Sequence, residues 1–312
     1  MARKSTHINT KRKNLIKLIV VSVLSAFFIF FAIFTELRNK YHFKDENIKK
    51  IEVSSEFFES QDVNYYNDIC VLKEDITISS IRTLGSSKTP YIGEFDGNFH
   101  TITIDTKENF DSLFGYVGEN AIIKNVTIVI EEFNCTSEIG AILAIHNKGL
   151  IENCKIECAK YNITNSGIYS LVAAINYGTI SKTFIKTCLN NKTPENSKNI
   201  VFGVLAAFNY GDIKCNLTKI SYTGFQEVVK ENLDSSNSIN KTIGAVFGIY
   251  KSGDIKDIEV IIDNMFLTSD RKIVSLNDYY SFEITNGFIQ NMGFEPRYWV
   301  IKDNELSLKR GA

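Results

Sequence analysis

The chain has 312 residues, a formal net charge of −1, 12% aromatic residues and only 3 prolines. That length holds one or two domains with a full core, and the composition excludes an intrinsically disordered chain. Six cations (Arg3, Lys4, Lys11, Arg12, Lys13, Lys17) and no acid precede residue 35, which leaves the remainder 29 basic against 36 acidic residues. A mildly acidic body excludes a nucleic-acid groove, which needs a net basic face.

Residues 1–14 read as a cytoplasmic basic tail. From Leu15 to Phe34 the chain is apolar apart from Lys17, Ser22 and Ser25, a run of 20 residues. As helix this run crosses a bilayer core of about 30 Å. Its length and the absence of a small-x-small site favour an uncleaved signal-anchor over residues 15–35, with a cleaved signal peptide as the alternative. A buried soluble helix fits poorly, because the run is apolar all round. The cations before the span place the body, residues 36–312, outside the cell membrane as a single-pass protein.

Residues 36–60 read as a juxtamembrane linker and N-terminal cap. Ile51 and Val53 suit a first strand, and Ser54-Ser55 offers an N-cap for a short helix Glu56–Ser60 with Phe57 and Phe58 turned inward. Asn64–Asp68 is a polar break, followed by strands over Ile69–Leu72 and Ile76–Ile78. Three more runs, Thr101–Ile104, Leu113–Val117 and Ile122–Ile130, alternate with turns such as Asp96-Gly97-Asn98.

An internal repeat then decides the architecture. Its copies are ILAIHNKGLIENC (142–154), VAAINYGTISKT (172–183), LAAFNYGDIKCN (205–216) and VFGIYKSGDIKDI (246–258), with a divergent first copy FGYVGENAIIKNV (114–126). The anchor glycines Gly149, Gly178, Gly211 and Gly253 lie 29, 33 and 42 residues apart. The longer spacings contain the inserts Asn190–Asn199 and Glu231–Asn240, which suit loops on a repeat scaffold. A constant core with variable inserts predicts an all-β chain: a single parallel β-helix, or solenoid, over residues 61–285, preceded by one transmembrane α-helix. A β-sandwich is the rival fold, but it does not require this periodic Asn-x-Gly-x-Ile. Aligned on the glycines, Asn147, Asn176 and Asn209 share one site, as an Asn ladder requires, and Ile175, Phe208 and Tyr250 share another. Glycine at the turn suits a positive φ. Residues 286–312, with the only Trp, read as a C-terminal cap over the open end of the stack.

These features resemble bacterial surface proteins with GLUG-type repeats. Ile69–Ile78 is similar to the family's opening strand. Ile92-Gly93 with Phe95-Asp96-Gly97-Asn98-Phe99-His100-Thr101-Ile102 resembles its IG…FDGNGHTI block, and Leu113-Phe114-Gly115-Tyr116-Val117 its GLFGYV. Gly293-Phe294 followed by Trp299 fits its ending. The resemblance covers roughly residues 65–305. Phe99 stands where the family has Gly, and Ala141, Ala144, Ser170, Ala174 and Ala206 hold other positions where Gly is usual. The resemblance implies a right-handed parallel β-helix displayed at the cell surface. It implies no activity, because the repeat is a scaffold.

Candidate chemistry is sparse. Asp96, Asp105 and Asp111 lie within sixteen residues and suit an acid and base pair only if the fold sets two of them about 5–9 Å apart. Asp96 also suits its turn. Cys154 and Cys158 share a strand face with Ile156, but neither a second close cysteine pair nor a nearby His completes a zinc site. The six cysteines (Cys70, Cys135, Cys154, Cys158, Cys188, Cys215) read chiefly as small buried side chains, though an extracytoplasmic location permits disulfides. His100 and His146 read as structural. Six Asn-x-Thr sequons, at Asn125, Asn134, Asn162, Asn191, Asn216 and Asn240, read as silent in a bacterial protein. No catalytic, cofactor-binding or metal-ligating residue is assigned. The chain is expected to be a surface interaction or adhesion module, held in the membrane through residues 15–35, that binds a polysaccharide or a surface protein and no nucleic acid. The alternatives are a polysaccharide lyase or glycosidase on the same scaffold and a purely structural envelope protein.

Overall fold

The structure, a computed structural model, describes residues 48–60, 67–106, 108–191, 199–223, 241–244, 246–263, 266–267, 273–274, 290–302 and 305–310. The chain divides into Met1–Ile48 and the compact unit Lys49–Ala312. The expected basic tail and signal-anchor lie outside the described residues, as do most of both inserts. Among the described residues no helix is long and apolar enough to cross a membrane.

Lys49–Ala312 is a parallel β-solenoid of about five turns with almost no helix. It begins with β1 (Lys50–Val53), which pairs in parallel with β2 (Ile69–Leu72). Between them a single helical turn, α1 (Glu56–Glu59), buries Phe57 and Phe58. Ser55 makes no side-chain cap bond, and Ser60 is already extended, so the helix stops one residue short of the expected end. What holds it is ring packing: both phenylalanines lie against Phe95, and Phe58 also meets Phe114.

The next strands are β3 (Ile76–Ile78), β4 (Glu94–Asp96), β5 (Thr101–Ile104) and β6 (Phe114–Val117). Four full repeats follow, each a long strand and two short ones. The first is β7 (Ile122–Asn134), β8 (Ile139–Ala141) and β9 (Ala144–Asn147); the second is β10 (Leu150–Ile163), β11 (Gly167–Ser170) and β12 (Ala173–Asn176). In the third the long strand is broken into β13 (Thr179–Ser181) and β14 (Phe184–Asn191), before β15 (Ile200–Gly203) and β16 (Ala206–Asn209). The fourth is β17 (Asp212–Thr223), β18 (Lys241–Gly244) and β19 (Phe247–Tyr250), and β20 (Ile255–Asp263) comes after it. Long strands build an 11-stranded sheet, while the short ones build a four-stranded sheet (β8, β11, β15, β18) and a five-stranded sheet (β6, β9, β12, β16, β19).

Parallel pairing puts like residues over like, about 4.8 Å apart. One inward column runs Ile76, Ile102, Ile128, Ile156, Ile185, Thr218, Val260. A second runs Cys70, Phe95, Ile123, Ile151, Ile180, Ile213, Ile255. Between these columns the long strand kinks, and Asn125, Asn153, Lys182, Cys215 and Asp257 all hold φ between 49° and 56°. That left-handed corner is why Ile123 and Val126, three residues apart, both point to the core. Asn tolerates this conformation best among residues with a Cβ.

The Asn ladder is present. Asn147 donates from Nδ2 to Asn176 Oδ1, and Asn176 donates to Asn209 Oδ1, each at 2.8 Å. Asn209 ends the ladder on the Gly211 and Ser252 carbonyls. All three side chains are fully buried. In the next coil Tyr250 falls on the ladder site and Ile249 continues the Ile175–Phe208 column. The expected alignment was therefore one residue off, because that coil carries one more residue before its glycine.

The anchor glycines serve a different need from the one expected. Only Gly253 has positive φ; Gly149, Gly178 and Gly211 do not. A Cβ on Gly178 would instead overlap the Gly149 carbonyl oxygen, and one on Gly211 the Gly178 carbonyl oxygen. Close approach of successive backbones, not turn conformation, excludes a side chain. Ala141, Ala144, Ser170, Ala174 and Ala206 are fully buried, so these core positions keep a small volume.

After β20 come a short antiparallel pair, β21 (Phe266–Leu267) and β22 (Ile273–Val274), and a hairpin, β23 (Trp299–Lys302) and β24 (Glu305–Leu308). This hairpin lies along the flank of the long sheet. The expected cap over the end of the stack is not what its contacts show. Met292, Phe294, Trp299 and Leu306 form a small apolar cluster with Phe184 and Leu217. Those two residues face outward, so a lateral cover is what the sequence needs at that point.

Two substitutions test this architecture. Gly178→Val drives a side chain into a backbone that is itself pressed on the preceding coil; it is expected to cost about 3 kcal/mol or more, while Lys148→Ala, at an exposed site nearby, leaves the melting temperature within a degree or two. Asn176→Ala strands Asn147 Nδ2 and Asn209 Oδ1 in the core, and chemical denaturation is expected to show a loss of about 2–4 kcal/mol.

Candidate functional site

Four of the five large hydrophobic side chains exposed among the described residues lie in or beside the five-stranded sheet. In its first four strands the last residue before the corner is buried (Val117, Asn147, Asn176, Asn209), whereas in β19 it is the exposed Tyr250; the residue before that, at Tyr116, His146, Ile175, Phe208 and Ile249, is half-buried. Tyr116 and His146 stack at 4.3 Å with 13° between ring planes. Burial, with Lys148 close by, lowers the His146 pKa below its ordinary value, so the ring is neutral near pH 7.

Just past the Asn ladder the chain turns outward. There Tyr177 (48% exposed) and Tyr210 (37% exposed) stack on each other at 4.7 Å and 14°. Lys148 and Lys251 hold the same position in the coils on either side. Both are exposed, and neither has a salt-bridge partner among the described residues. Ile92, 44% exposed, packs over Gly118 one coil before Lys148. Of the five large hydrophobic side chains exposed among the described residues, Ile92, Tyr177, Tyr210 and Tyr250 lie along this edge and only Val300 lies elsewhere. The edge thus presents an aromatic ladder with a cation at each end, spanning about 14 Å at one coil per 4.8 Å.

A second feature is an open groove of about 390 Å³ on the outer face of the long sheet. Val129, Glu157, Lys186 and Lys219 form one outward column along it, with Glu131, Cys188 and Ser221 beside them. Lys186 Nζ donates to Glu305 Oε1 of the terminal hairpin at 2.5 Å. The groove therefore holds charges of both signs.

The carboxylates expected as a potential catalytic group are not brought together. Asp96 accepts from the Asn98 backbone at 2.8 Å and from Asn125 Nδ2 at 3.1 Å, so it fastens its own turn to the start of β7. Asp111 lies against the Cys135 thiol just past the other end of β7. Asp105 is exposed, with its N–H bonded to the Ile78 carbonyl. Among the described residues no cluster of three His, Cys, Asp or Glu could hold a metal ion. His100 Nδ1 sits 3.4 Å from Asp75, at the edge of the long sheet.

All six cysteines are thiols. Burial raises the pKa of Cys70, Cys135, Cys154 and Cys158 to about 12, which leaves them protonated and inert. The sequons at Asn162 and Asn216 are closed, because both side chains are buried and donate hydrogen bonds. Sequence reasoning passed over Tyr177 and Tyr210, although Asn-Tyr-Gly occurs in both repeats. That shared tripeptide was the available signal. Nothing in the order of residues marked the groove, which forms across four coils.

Comparison with known proteins returns no match: no family model, no curated protein and no solved structure is similar to this chain.

Thiol accessibility is directly measurable. Alkylation of the native protein at pH 8 is expected to modify only Cys188 and Cys215, the two part-exposed cysteines, and all six after denaturation. Mass spectrometry of the labelled peptides reads the difference.

Proposed function

We propose that this chain is an extracytoplasmic interaction or adhesion module, tethered through residues 15–35, whose ligand lies along the outer edge of the five-stranded sheet. The β-helix scaffold is consistent with such a role. The sequence supports the tether through its cation-flanked apolar run, and the GLUG-type resemblance supports surface display. One observation carries the reading: nearly all the exposed large hydrophobic side chains among the described residues lie on one edge, where Tyr177 and Tyr210 stack between Lys148 and Lys251. Monomeric surfaces rarely gather apolar groups this way without a partner. Tyrosine suits such a site because it joins a large apolar face to a polar tip. A polysaccharide, with apolar ring faces and polar rims, fits that chemistry; a surface protein is the other partner class. Among the described residues no arrangement of acids favours the lyase or glycosidase alternative.

The test is retention of the purified chain on a panel of cell-wall and host polysaccharides, with polymer length followed in parallel. Retention without shortening is expected. The double variant Tyr177→Ser/Tyr210→Ser is expected to weaken it about tenfold with no change in melting temperature. Shortened polymer would replace this reading with an enzyme and return attention to Asp96, Asp105 and Asp111. Undiminished retention in the double variant would move the ligand to another face.

A further inference from the structure

The terminal hairpin touches residues far apart along the stack. Arg310 pairs with Asp75 near the first coils. The Tyr298 ring stacks on Phe99 at 5.5 Å and 19°. Trp299 Nε1 donates to Asn153 Oδ1 at 3.3 Å, and Lys155 Nζ donates to Ser307 Oγ at 3.2 Å. Further along, Lys182 pairs with Glu295 at 2.6 Å and Lys186 with Glu305 at 2.5 Å. The apolar cluster around Trp299 then reaches Phe184 and Leu217. One short segment therefore bonds to β10 and β14, packs on Leu217 of β17 and reaches back to the turn before β5.

In a solenoid each coil meets only its neighbours, so stability is close to a sum of nearest-neighbour terms and single coils can open alone. A segment that bridges several coils changes that rule. Opening any coil beneath it breaks contacts that hold the others.

Phe99 gives independent support. Its φ is +64°, a conformation that a bulky side chain adopts only under strain and that glycine adopts freely. The backbone is fixed there by the Phe99 N–H bond to the Asn125 carbonyl. What phenylalanine supplies, and glycine would not, is the ring beneath Tyr298. A strained residue is retained where its only evident return is contact with the hairpin.

We propose that the segment from Gln290 to Arg310 is a lateral clasp, anchored on strained Phe99, that couples the coils from Asp75 to Leu217 into one cooperative unit. Hydrogen exchange on the full chain reads this coupling. In the wild type, amides of Thr101–Ile104 and Phe184–Leu189 are expected to open together, with protection factors within about threefold of one another. Trp299→Ala empties the centre of the cluster. Exchange in both stretches is then expected to rise about a hundredfold or more, to values that differ from one another by more than about tenfold. Acceleration confined to residues 292–308, with β5 and β14 unchanged, would overturn the proposal and make the hairpin a passive cover. Equal acceleration of both stretches would also overturn it, because the coils would still open as one without the clasp. Phe99→Gly is the second variant, and it decides the matter if Trp299→Ala does not fold. It relieves the strained φ yet is expected to raise exchange across β23 and β24 about tenfold. Unchanged protection of the hairpin in that variant would remove Phe99 as its anchor and overturn the proposal.

Discussion

The structure depends on one constraint: successive coils pair in parallel with almost no offset, so each residue sits above its counterpart at the strand spacing. From that rule follow both the permitted and the forbidden side chains. Isoleucine recurs in the inward columns because a β-branched side chain packs well on its own copy. Glycine recurs at the corner after the Asn ladder because the carbonyl of the coil below occupies the place of a Cβ. Asparagine recurs beside it because its amide donates to the coil on one side and accepts from the other, so a buried polar group is satisfied by its own repetition.

The same rule shapes the surface. A side chain turned outward in one coil is followed by another turned outward in the next, so surface features become stripes. Tyr177 over Tyr210 is one such stripe, and Tyr116 over His146 another. The column Val129, Glu157, Lys186, Lys219 makes a groove by the same geometry. A binding surface on this scaffold is assembled from one or two residues per coil. It therefore needs no conserved loop and no catalytic cluster to be specific.

Departures from the repeat mark where other forces intervene. Lys155, Phe184 and Leu217 share one outward column, yet all three are buried, because the terminal hairpin lies on them. Phe99 accepts backbone strain at the edge of the same cover. The extra residue before Gly253 shifts Tyr250 onto the ladder site, where no further Asn follows, and the ladder ends on backbone carbonyls.

Much of the architecture was legible in the order of residues. Asn147, Asn176 and Asn209 could be stacked from spacing alone, because a ladder requires identical residues at equivalent places in successive coils. Phe57 and Phe58 could be turned inward from their position after a short polar run. The left-handed corner at Asn125 and Asn153 was only half legible: Asn hints at it, but Lys182, Cys215 and Asp257 adopt the same conformation because their coils are held in register by neighbours. The reason for Gly178 was hidden as well, since positive φ is a local property and the overlap it avoids lies 29 residues away, at Gly149. The lateral position of Trp299, the spreading of Asp96 and Asp111 to opposite ends of β7, and the groove across four coils emerged only from the tertiary structure. Residue order set the repeat, its parallel stacking and its buried columns, because these depend on spacing that survives any bend of the chain. Which outward residues meet depended on how each coil turns and on where the chain end returns, and the latter makes contacts between residues more than a hundred positions apart.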